Sequence, residues 1–441
     1  MKTYDAIIIG YGKGGKTMAG YLAKQGERVA IIERDPQMYG GTCINVGCIP
    51  SKSLVTSALG VKHSGPLSFE EKAEKYKAAV EEKRRLTAML RQKNFNMLND
   101  NPNVEVYTGT AAFIGERTVE IKGSLEGEGV VEIVKGEKIF INTGATPVVP
   151  PIPGLENNPK VYYSNTLMDL DVLPKKLKII GGGYISMEFA AMYANFGSAV
   201  TVMQREDTFL PREDADVALA IKEIMEAKGV EIQMGLTEFP LDDADAILVA
   251  TGRKPNTEGL SADLAGIRLT SRGAIDVDQW GRTTAENVWA LGDVAGGLQF
   301  TYISLDDFRI VRDQLKGEGS RTMKDRANVP YSVFMDPPFS RVGMGEQEAI
   351  AAGYQVKVVT MPAAAIPKAQ VLRSTQGLLK AIVDEKTKKI LGAVLLCEES
   401  YELINLIKLA MDTGAEYTLL RDMIFTHPTM SEALNDLFAL V

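Results

Sequence analysis

Short apolar runs alternate with helical patterns at the start of the chain. The run Tyr4–Ile9 leads into a glycine-rich turn, a helical pattern follows as far as Leu22, and a second apolar run, Val29–Ile32, ends at Glu33. This order predicts a strand, a tight turn, a helix and a second strand. Such a unit is typical of a dinucleotide-binding domain.

The same unit recurs near the middle of the chain. Leu177–Ile180 leads into three consecutive glycines, a helical pattern continues to Ala194, and Ala199–Met203 forms the next apolar run. Two such units in one chain predict two Rossmann-like nucleotide-binding domains and therefore an α/β fold.

Other segments predict further elements. The charged stretch Phe69–Leu98 predicts an exposed amphipathic helix, and the alternating runs of Val104–Ile141, broken by glycines, predict an antiparallel meander. A separate α+β domain is predicted from about Val329, with strands at Val356–Thr360, Leu378–Val383 and Leu391–Leu396 and helices at Tyr401–Met411 and Ser431–Phe438.

The composition is that of a globular protein with several domains. The chain has 441 residues, of which 45% are hydrophobic and 24% are charged, and this length favours about three domains. A net charge of −8 argues against a nucleic-acid-binding protein, and no apolar run approaches the roughly 18 residues of a membrane span. The amino terminus lacks a cleavage-site pattern, and three cysteines cannot form a stapling framework, so we expect a cytoplasmic protein.

The first glycine turn has the spacing that a bound pyrophosphate requires. Gly10 permits the tight turn, Gly12 lets backbone N–H groups approach the phosphates, and Gly15 allows the helix to pack closely on the strand. Glu33 ends the next strand, where a carboxylate can accept hydrogen bonds from both ribose hydroxyls. Together with the strand and the helix, these residues predict a dinucleotide site.

The second glycine turn, with Gly181 and Gly183, differs at the residue that would contact the ribose. The following strand ends in Gln204 and Arg205, so no acid is present to hold an unmodified ribose. Arg205, with Arg212, is suited to a 2′-phosphate, which favours NADPH and leaves NADH open. The alternative is that Arg205 is a solvated arginine on a surface turn.

Two cysteines, Cys43 and Cys48, lie in a segment that suits a turn running into a helix. Gly47 precedes the second cysteine and Pro50 follows it. At a helix N-terminus the dipole lowers a thiol pKa, so one sulfur can be a thiolate at neutral pH. A disulfide that closes so small a loop is reducible and catalytic rather than structural. The alternative is two buried cysteines that serve as small hydrophobic residues.

The full string around these cysteines resembles the redox-active signature of the flavoprotein pyridine nucleotide–disulfide oxidoreductases, which include glutathione reductase, lipoamide dehydrogenase and mercuric reductase. The resemblance covers essentially the whole chain, although Asn142 replaces an alanine of the family pattern. The motifs that carry it are Gly40–Lys52, Thr143-Gly144, Ala250–Thr257, Ala290–Asp293 and His427–Glu432.

This resemblance implies FAD and a pyridine nucleotide as cofactors, of which Arg205 favours NADPH over NADH, and no metal site is expected. It implies an FAD-binding domain with the redox disulfide (1–145), an NAD(P)-binding domain (146–257), a continuation of the FAD domain (258–325) and a C-terminal dimerisation domain (326–441). The residues that it places at FAD are Gly10, Gly12, Gly15, Glu33, Thr42, Lys52, Thr110, Ala111, Thr143, Gly144, Asp293 and Thr301. Those that it places at the pyridine nucleotide are Gly181, Gly183, Tyr184, Ile185, Arg205 and Gly252.

The resemblance also implies catalytic roles. Cys48 would face the flavin as the charge-transfer thiolate, and Cys43 would be the interchange thiol that meets the substrate. Lys52 would lie beside the flavin, paired with Glu188, and Tyr184 would cover the nicotinamide pocket.

In this family the acid–base histidine reaches the site from the partner subunit. His427, oriented by Glu432, matches that residue, so a homodimer is expected. His63 lies in a turn without a nearby carboxylate in the sequence and is expected to face solvent. Cys397 ends an apolar run and is expected to be a core residue.

Three less specific sequence segments indicate a particular branch of the family. The segments Met38-Tyr39, Gln299–Val311 and Arg421–Thr426 depart from the usual pattern and resemble the bacterial reactive-chlorine-resistance branch, whose members are described as hypothiocyanous acid reductases and Cu(II) reductases. We therefore predict that the chain passes electrons from NAD(P)H to hypothiocyanous acid in oxidative-stress defence.

Two alternatives come from different functional classes. One is a low-molecular-weight disulfide reductase, similar to glutathione reductase or dihydrolipoyl dehydrogenase. The absence of an acid at Gln204 argues against an NAD-using lipoamide dehydrogenase, and the chain ends at Val441 without the cysteine pair expected of mercuric reductase. The other alternative is a non-enzymatic redox-sensing or flavin-binding subunit, which would not require every catalytic residue.

Overall fold

The computed structural model describes residues 1–123 and 129–441. They form two compact units. The first contains residues 1–53, 79–149 and 252–325, and the second contains residues 54–78, 150–251 and 326–441.

The strands and helices follow one another along the whole described chain. The strands are β1 (Lys2–Ile9), β2 (Val29–Glu33), β3 (Val104–Thr108), β4 (Thr110–Gly115), β5 (Thr118–Lys122), β6 (Val130–Ile141), β7 (Ala145–Pro147), β8 (Val161–Tyr162), β9 (Lys176–Ile180), β10 (Ala199–Met203), β11 (Glu231–Gln233), β12 (Ala246–Val249), β13 (Arg253–Pro255), β14 (Val288–Ala290), β15 (Tyr331–Val333), β16 (Phe339–Gly343), β17 (Val356–Pro362), β18 (Leu378–Asp384) and β19 (Ile390–Leu396). The α-helices are α1 (Lys13–Lys24), α2 (Thr42–Asn45), α3 (Cys48–His63), α4 (Phe69–Asn99), α5 (Ser164–Leu167), α6 (Tyr184–Phe196), α7 (Ala215–Ala227), α8 (Thr301–Leu315), α9 (Glu346–Ala351), α10 (Pro367–Leu372), α11 (Ser400–Asp412), α12 (Thr418–Asp422) and α13 (Ala433–Ala439).

The first unit is built on one sheet with the order β3-β2-β1-β6-β5-β4, and β14 also pairs with β6. Strand β1 shows why the sheet is buried on both faces. Ile7 and Ile9 pack into one hydrophobic core, and Ala6 and Ile8 pack into another. A strand covered on both sides has no polar face, which explains the unbroken apolar run at the amino terminus.

The predicted antiparallel meander is correct only in part. Strands β4, β5 and β6 pair in antiparallel fashion. Strand β3 instead runs parallel to β2, with Val104 opposite Val29. The connection from β2 to β3 contains three α-helices, and such a crossover returns the chain in the same direction.

Helix α4 confirms the predicted helix at Phe69–Leu98, but one of its faces is covered. Tyr76, Val80 and Lys83 are buried along it. Charged side chains are frequent along the rest of the helix, so the composition of the segment alone favoured exposure.

The second unit contains two sheets. The parallel sheet β11-β10-β9-β12-β8 includes the second predicted strand–turn–helix–strand unit, and the antiparallel sheet β15-β16-β19-β18-β17 belongs to the predicted α+β tail. Strands β15 and β16 were not predicted. The fold class, with two Rossmann-type sheets and a C-terminal α+β domain, is confirmed. Among the described residues, no helix is both long and apolar enough to cross a membrane.

A buried lysine holds three carboxylates together in the second unit. Lys380 on β18 is 1% exposed, and its Nζ lies 3.0 Å from carboxylate oxygens of Asp214, Asp216 and Glu346. We expect Lys380→Met to destabilise this unit by about 3 kcal/mol, because the carboxylates would lose their shared cation. Thermal and chemical unfolding would measure the loss. The exposed Lys386→Met is the control, and equal unfolding midpoints for the two variants would contradict this role.

Candidate active site

The first glycine turn is shaped by close backbone contacts. Gly10 follows β1 with a φ of +100°, and a Cβ atom there would clash with the carbonyl oxygen of Asn142. A Cβ on Gly15 would lie 2.6 Å from the Gly10 carbonyl oxygen. Helix α1 begins directly after Gly12, so its N-terminal N–H groups face the turn. This shape fits a pyrophosphate, as predicted.

The predicted ribose ligand lies beside this turn. Glu33 ends β2, and its carboxylate accepts hydrogen bonds from the backbone N–H groups of Tyr11 (2.9 Å) and Asp35 (3.3 Å). Burial raises the pKa of the Glu33 carboxyl, against the effect of these hydrogen bonds. The backbone therefore fixes the orientation of the carboxylate next to the glycine turn.

Asn142, which departs from the family pattern, has a clear structural role. Its Oδ1 accepts a hydrogen bond from the Gly15 N–H (3.0 Å), and its Nδ2 donates to the Leu291 carbonyl (2.5 Å) and to Ser304 Oγ (3.2 Å). Ser304 Oγ in turn accepts from the Gly14 N–H at 3.1 Å. One buried amide thus connects the first glycine turn with the segment that leads to Asp293.

Asp293 itself lies in a short 3₁₀ helix, Gly292–Ala295, that is also held from α8. The carboxylate of Asp307 accepts a hydrogen bond from the Gly292 N–H at 2.6 Å. Burial raises the pKa of Asp293, although the nearby guanidinium of Arg253 opposes this effect.

The two predicted Thr-Gly loops are paired in the structure. Strands β7 and β13 are antiparallel, Thr143 Oγ1 donates to the Asn256 carbonyl (2.7 Å), and the Asn256 N–H donates to the Gly144 carbonyl (2.9 Å). Gly252, at the start of the second loop, has a φ of +111°, which favours glycine. These loops lie at the carboxyl ends of β6 and β12, where nucleotides bind in α/β sheets.

Cys43 and Cys48 lie on two consecutive helices of the first unit. Cys43 is the second residue of α2 and is half-buried, whereas Cys48 begins α3 and is exposed. Both are thiols and they share a hydrogen bond. Cys48 Sγ also lies 3.6 Å from Thr301 Oγ1, at the start of α8.

This arrangement makes the two thiols unequal. The hydrogen bond from Cys43 lowers the pKa of Cys48 to about 6, and Thr301 and the charge of Lys52 contribute in the same direction. The hydrogen bond with Cys48 and burial raise the pKa of Cys43. The environment therefore favours the thiolate on Cys48 over the thiolate on Cys43.

The second glycine turn is supported by Gln204, a role that the sequence did not reveal. Gly181 has a φ of +108°, and a Cβ there would lie 2.6 Å from the Ala250 carbonyl oxygen. A Cβ on Gly182 would overlap the side chain of Gln204, which is buried and donates to the carbonyls of Glu206 and Thr208 at 3.0 Å each. Gln204 thus occupies the position where an acidic ribose ligand would stand, and its buried side chain supports the glycine turn instead.

Several residues in and near the second glycine turn are open to solvent. Arg205 and Arg212 are both exposed, and Gly183 precedes α6 with open space around it. Ile185 is 40% exposed, on the first turn of α6. Arg205 is therefore accessible, which is compatible both with binding of a 2′-phosphate and with a solvated surface arginine.

Tyr184 is held by a buried carboxylate. Its hydroxyl donates to Glu213 Oε1, which also accepts from the Tyr331 hydroxyl at 2.7 Å. Glu213 Oε2 accepts from Arg341 at 3.1 Å, so the carboxylate is paired with a buried guanidinium. Glu188, one turn further along α6, accepts a hydrogen bond from the Phe334 N–H at 3.1 Å.

His427 and Glu432 are brought together in the second unit. His427 Nδ1 and Glu432 Oε2 lie 2.8 Å apart, and Glu432 Oε1 accepts from the Thr429 N–H at 3.2 Å. The hydrogen bond with His427 lowers the pKa of the Glu432 carboxyl. The imidazole is 69% exposed, so it is oriented by its partner and still accessible.

The remaining predicted residues occupy ordinary positions. Thr42 begins α2, Thr110 is exposed at the start of β4, and Ala111 is buried beside it. Exposed His63 and fully buried Cys397 match their predictions. Within residues 1–123 and 129–441, no group of three or more His, Cys, Asp or Glu side chains could hold a metal ion.

The chain belongs to the pyridine nucleotide-disulphide oxidoreductases. Residues 4–239 and 240–307 match the model of that family, and residues 329–438 match the model of its dimerisation domain, which supports a homodimer. As a member of this family, the chain uses FAD and a pyridine nucleotide as cofactors. The tight glycine turns and the half-buried Glu33 and Asp293 fit such a dinucleotide.

Individual relatives support the predicted branch. The chain is 52% identical to the probable pyridine nucleotide-disulfide oxidoreductase RclA of Escherichia coli, over all of both chains. A solved structure of E. coli RclA, described as the Cu(II) complex of an HOCl-induced flavoprotein disulfide reductase, matches with a TM-score of 0.94 and 51% identity over all of both chains. A mercuric reductase of Staphylococcus aureus is 31% identical, over 98% of this chain and 81% of its own length. The predicted family and branch are confirmed.

The Asn142 contacts give a test of the FAD site. We expect Asn142→Ala to weaken FAD binding about tenfold or more, because the Gly15 N–H and the Leu291 carbonyl would lose buried partners. Titration of the apoprotein with FAD would measure the dissociation constant. Asn103→Ala removes a half-buried amide that bonds the Ala23 carbonyl instead and is the control. If both variants bind FAD equally well, Asn142 does not support the site.

Proposed function

We propose that this chain is an NAD(P)H-dependent flavoprotein reductase that reduces hypothiocyanous acid through a Cys43–Cys48 redox disulfide. The observation that carries the proposal is the placement of Cys43 and Cys48 at the starts of two consecutive helices, one thiol half-buried and the other exposed 3.6 Å from Thr301. This environment lowers the pKa of Cys48 and raises that of Cys43. The similarity to RclA, an HOCl-induced protein in E. coli, supports a role in reactive-chlorine stress.

FAD, when bound, supplies the two-electron carrier between the nicotinamide and the cysteine pair. The residues proposed to hold it are those of the first glycine turn, Glu33, Asp293 and the Thr-Gly loops. Lys52 is proposed to lie beside the flavin, with Glu188 offsetting the cost of burying the lysine. Tyr184 is proposed to cover the nicotinamide pocket.

In the proposed oxidative half-reaction, His427 takes the proton of the Cys43 thiol, and the resulting thiolate attacks hypothiocyanous acid. A sulfur–sulfur bond forms to the electrophilic sulfur, the sulfur–oxygen bond breaks, and the departing hydroxide is protonated by His427 to give water. Cys48 then attacks the Cys43 sulfur and releases thiocyanate, which forms the disulfide. The two cysteines are oxidised by two electrons, and the oxidant sulfur is reduced by two.

His427 is proposed to act on the cysteine pair of the partner subunit. The exposed imidazole with a fixed Nδ1 partner supports an acid–base role, since Nε2 is then the nitrogen that exchanges protons. The match to the dimerisation domain supports the dimer that this role requires.

A low-molecular-weight disulfide reductase uses the same residues and differs only in its acceptor. The Cu(II) complex of E. coli RclA makes Cu(II) a further acceptor to test. We therefore propose to measure NADPH and NADH oxidation with hypothiocyanous acid, Cu(II), oxidised glutathione and lipoamide. Faster turnover with either disulfide than with hypothiocyanous acid would contradict the proposed substrate.

Cys43→Ser tests the thiol mechanism. This variant is expected to lose turnover of hypothiocyanous acid by at least about a hundredfold, because the attacking sulfur is gone. Reduction of the flavin by NADPH, followed by its absorbance in a stopped-flow instrument, should persist. Cys397→Ser is the control, since that thiol is buried with a pKa raised to about 12. Full turnover in Cys43→Ser would rule out the mechanism.

Arg205 tests the choice of nucleotide. If it binds the 2′-phosphate, Arg205→Ala should raise KM for NADPH about tenfold or more and leave KM for NADH unchanged, because a charge-assisted hydrogen bond is lost. Steady-state kinetics with both nucleotides would measure this. Lys357→Ala removes an exposed positive charge elsewhere in the second unit and is the control. Equal effects of Arg205→Ala on both nucleotides would favour a solvated arginine.

A further inference from the structure

Lys16 is a buried lysine next to the cysteine segment. It lies on α1, directly after the glycine turn, and is 6% exposed. Its Nζ donates to the Gly40 carbonyl at 3.3 Å and to Asn94 Oδ1 at 2.5 Å. A lysine is rarely buried to this extent without a charged partner.

The two acceptors connect Lys16 with the segment that carries Cys43. Gly40 and Gly41 both have positive φ angles, and α2 begins immediately after them. Asn94 belongs to α4, where its own amide donates to the Leu90 carbonyl at 2.7 Å. Lys16 therefore joins α1 and α4 to the turn that precedes Cys43.

Both acceptors of Lys16 are neutral oxygens, so neither cancels its charge. Burial lowers the pKa of Lys16 to about 8, Lys13 acts in the same direction, and Cys43 opposes them. In return, the charge of Lys16 favours the thiolate of Cys43, whose pKa Cys48 and burial otherwise raise. At neutral pH most of the Lys16 amine remains protonated.

We propose that Lys16 is an electrostatic positioning residue whose buried ammonium promotes ionisation of Cys43 while it fixes the Gly40 turn. This inference rests on the proposed function, in which Cys43 is the attacking thiol. In this proposal each thiolate is stabilised by a different lysine, that of Cys48 by Lys52 and that of Cys43 by Lys16. A buried charge with neutral partners acts strongly on a nearby thiol, because little solvent screens it.

The test measures Cys43 directly, in a Cys48→Ser background with FAD bound. The rate of alkylation by iodoacetamide is followed from neutral to alkaline pH, and the labelled residue is identified by mass spectrometry. Besides burial, the groups with the largest effects on the Cys43 pKa are position 48, Thr301 and Lys16. FAD is present in every variant compared. Cys397 is buried and should not react.

Lys16→Met is expected to raise the apparent pKa of Cys43 by about one unit and to slow alkylation at neutral pH about tenfold. Lys16→Gln should be equally slow, since its amide can still donate to the Gly40 carbonyl but carries no charge. Lys24→Met, which removes an exposed charge from the same helix, should leave the pH profile unchanged.

Asn94→Asp keeps Lys16 in place and tests the charge without shortening a side chain. A carboxylate at position 94 would pair with the ammonium, so it should also slow the alkylation of Cys43. Wild-type pH profiles in Lys16→Gln and Asn94→Asp would overturn the proposal and leave Lys16 a purely structural residue. Because no oxidant is used, this result is independent of the turnover measurements that test the proposed function.

Discussion

The buried amide of Asn142 is the contact on which the geometry of the first unit depends. Its carbonyl oxygen and its NH₂ group together bond the first glycine turn, the Leu291 carbonyl and Ser304. A buried donor or acceptor that loses its partner costs about 1–3 kcal/mol, so each of these segments constrains the others. The glycine turn and the Asp293 segment are therefore held together before any ligand binds.

The local surroundings also give the two thiols different tendencies to ionise. A pair of identical side chains becomes unequal because the environment favours charge on one of them. Cys48 begins α3 and has Thr301 and Lys52 near it, whereas Cys43 is half-buried in a short helix. An unequal pair suits two-step exchange chemistry, in which one sulfur attacks an acceptor and the other resolves the product.

Local patterns predicted the parts of the structure that depend on neighbouring residues. Both glycine turns, the helix at Phe69 and three of the five strands of the tail follow from periodicity and turn chemistry within short windows. Glu33 lies at the end of its predicted strand and His427 contacts Glu432, because a strand end and a five-residue spacing are local features. Their roles at the cofactor and in catalysis stay predictions.

Features that depend on distant residues were not predictable from one sequence. The parallel pairing of β3 follows from the path of α4. In the sequence Asn142 is only a departure from the family pattern, and its role is seen only from its contact with Ser304. Lys16 looks like a solvated lysine, since nothing nearby in sequence shows that Gly40 and Asn94 enclose it. Such residues become visible only when burial and hydrogen-bond partners are known.

The exposure of His427 bears on how the proposed reaction must be organised. Glu432, whose side chain is only 18% exposed, holds Nδ1 of the imidazole. The opposite edge of the ring, with Nε2, is open to solvent. An acid–base group is useful only where a reacting atom comes within hydrogen-bond reach. The chain matches the family's dimerisation domain, and in the function proposed above a second subunit brings the reacting sulfur to the open side of the imidazole. If that proposal holds, the catalytic unit is the dimer, and dissociation should lower turnover while leaving each thiol pair intact.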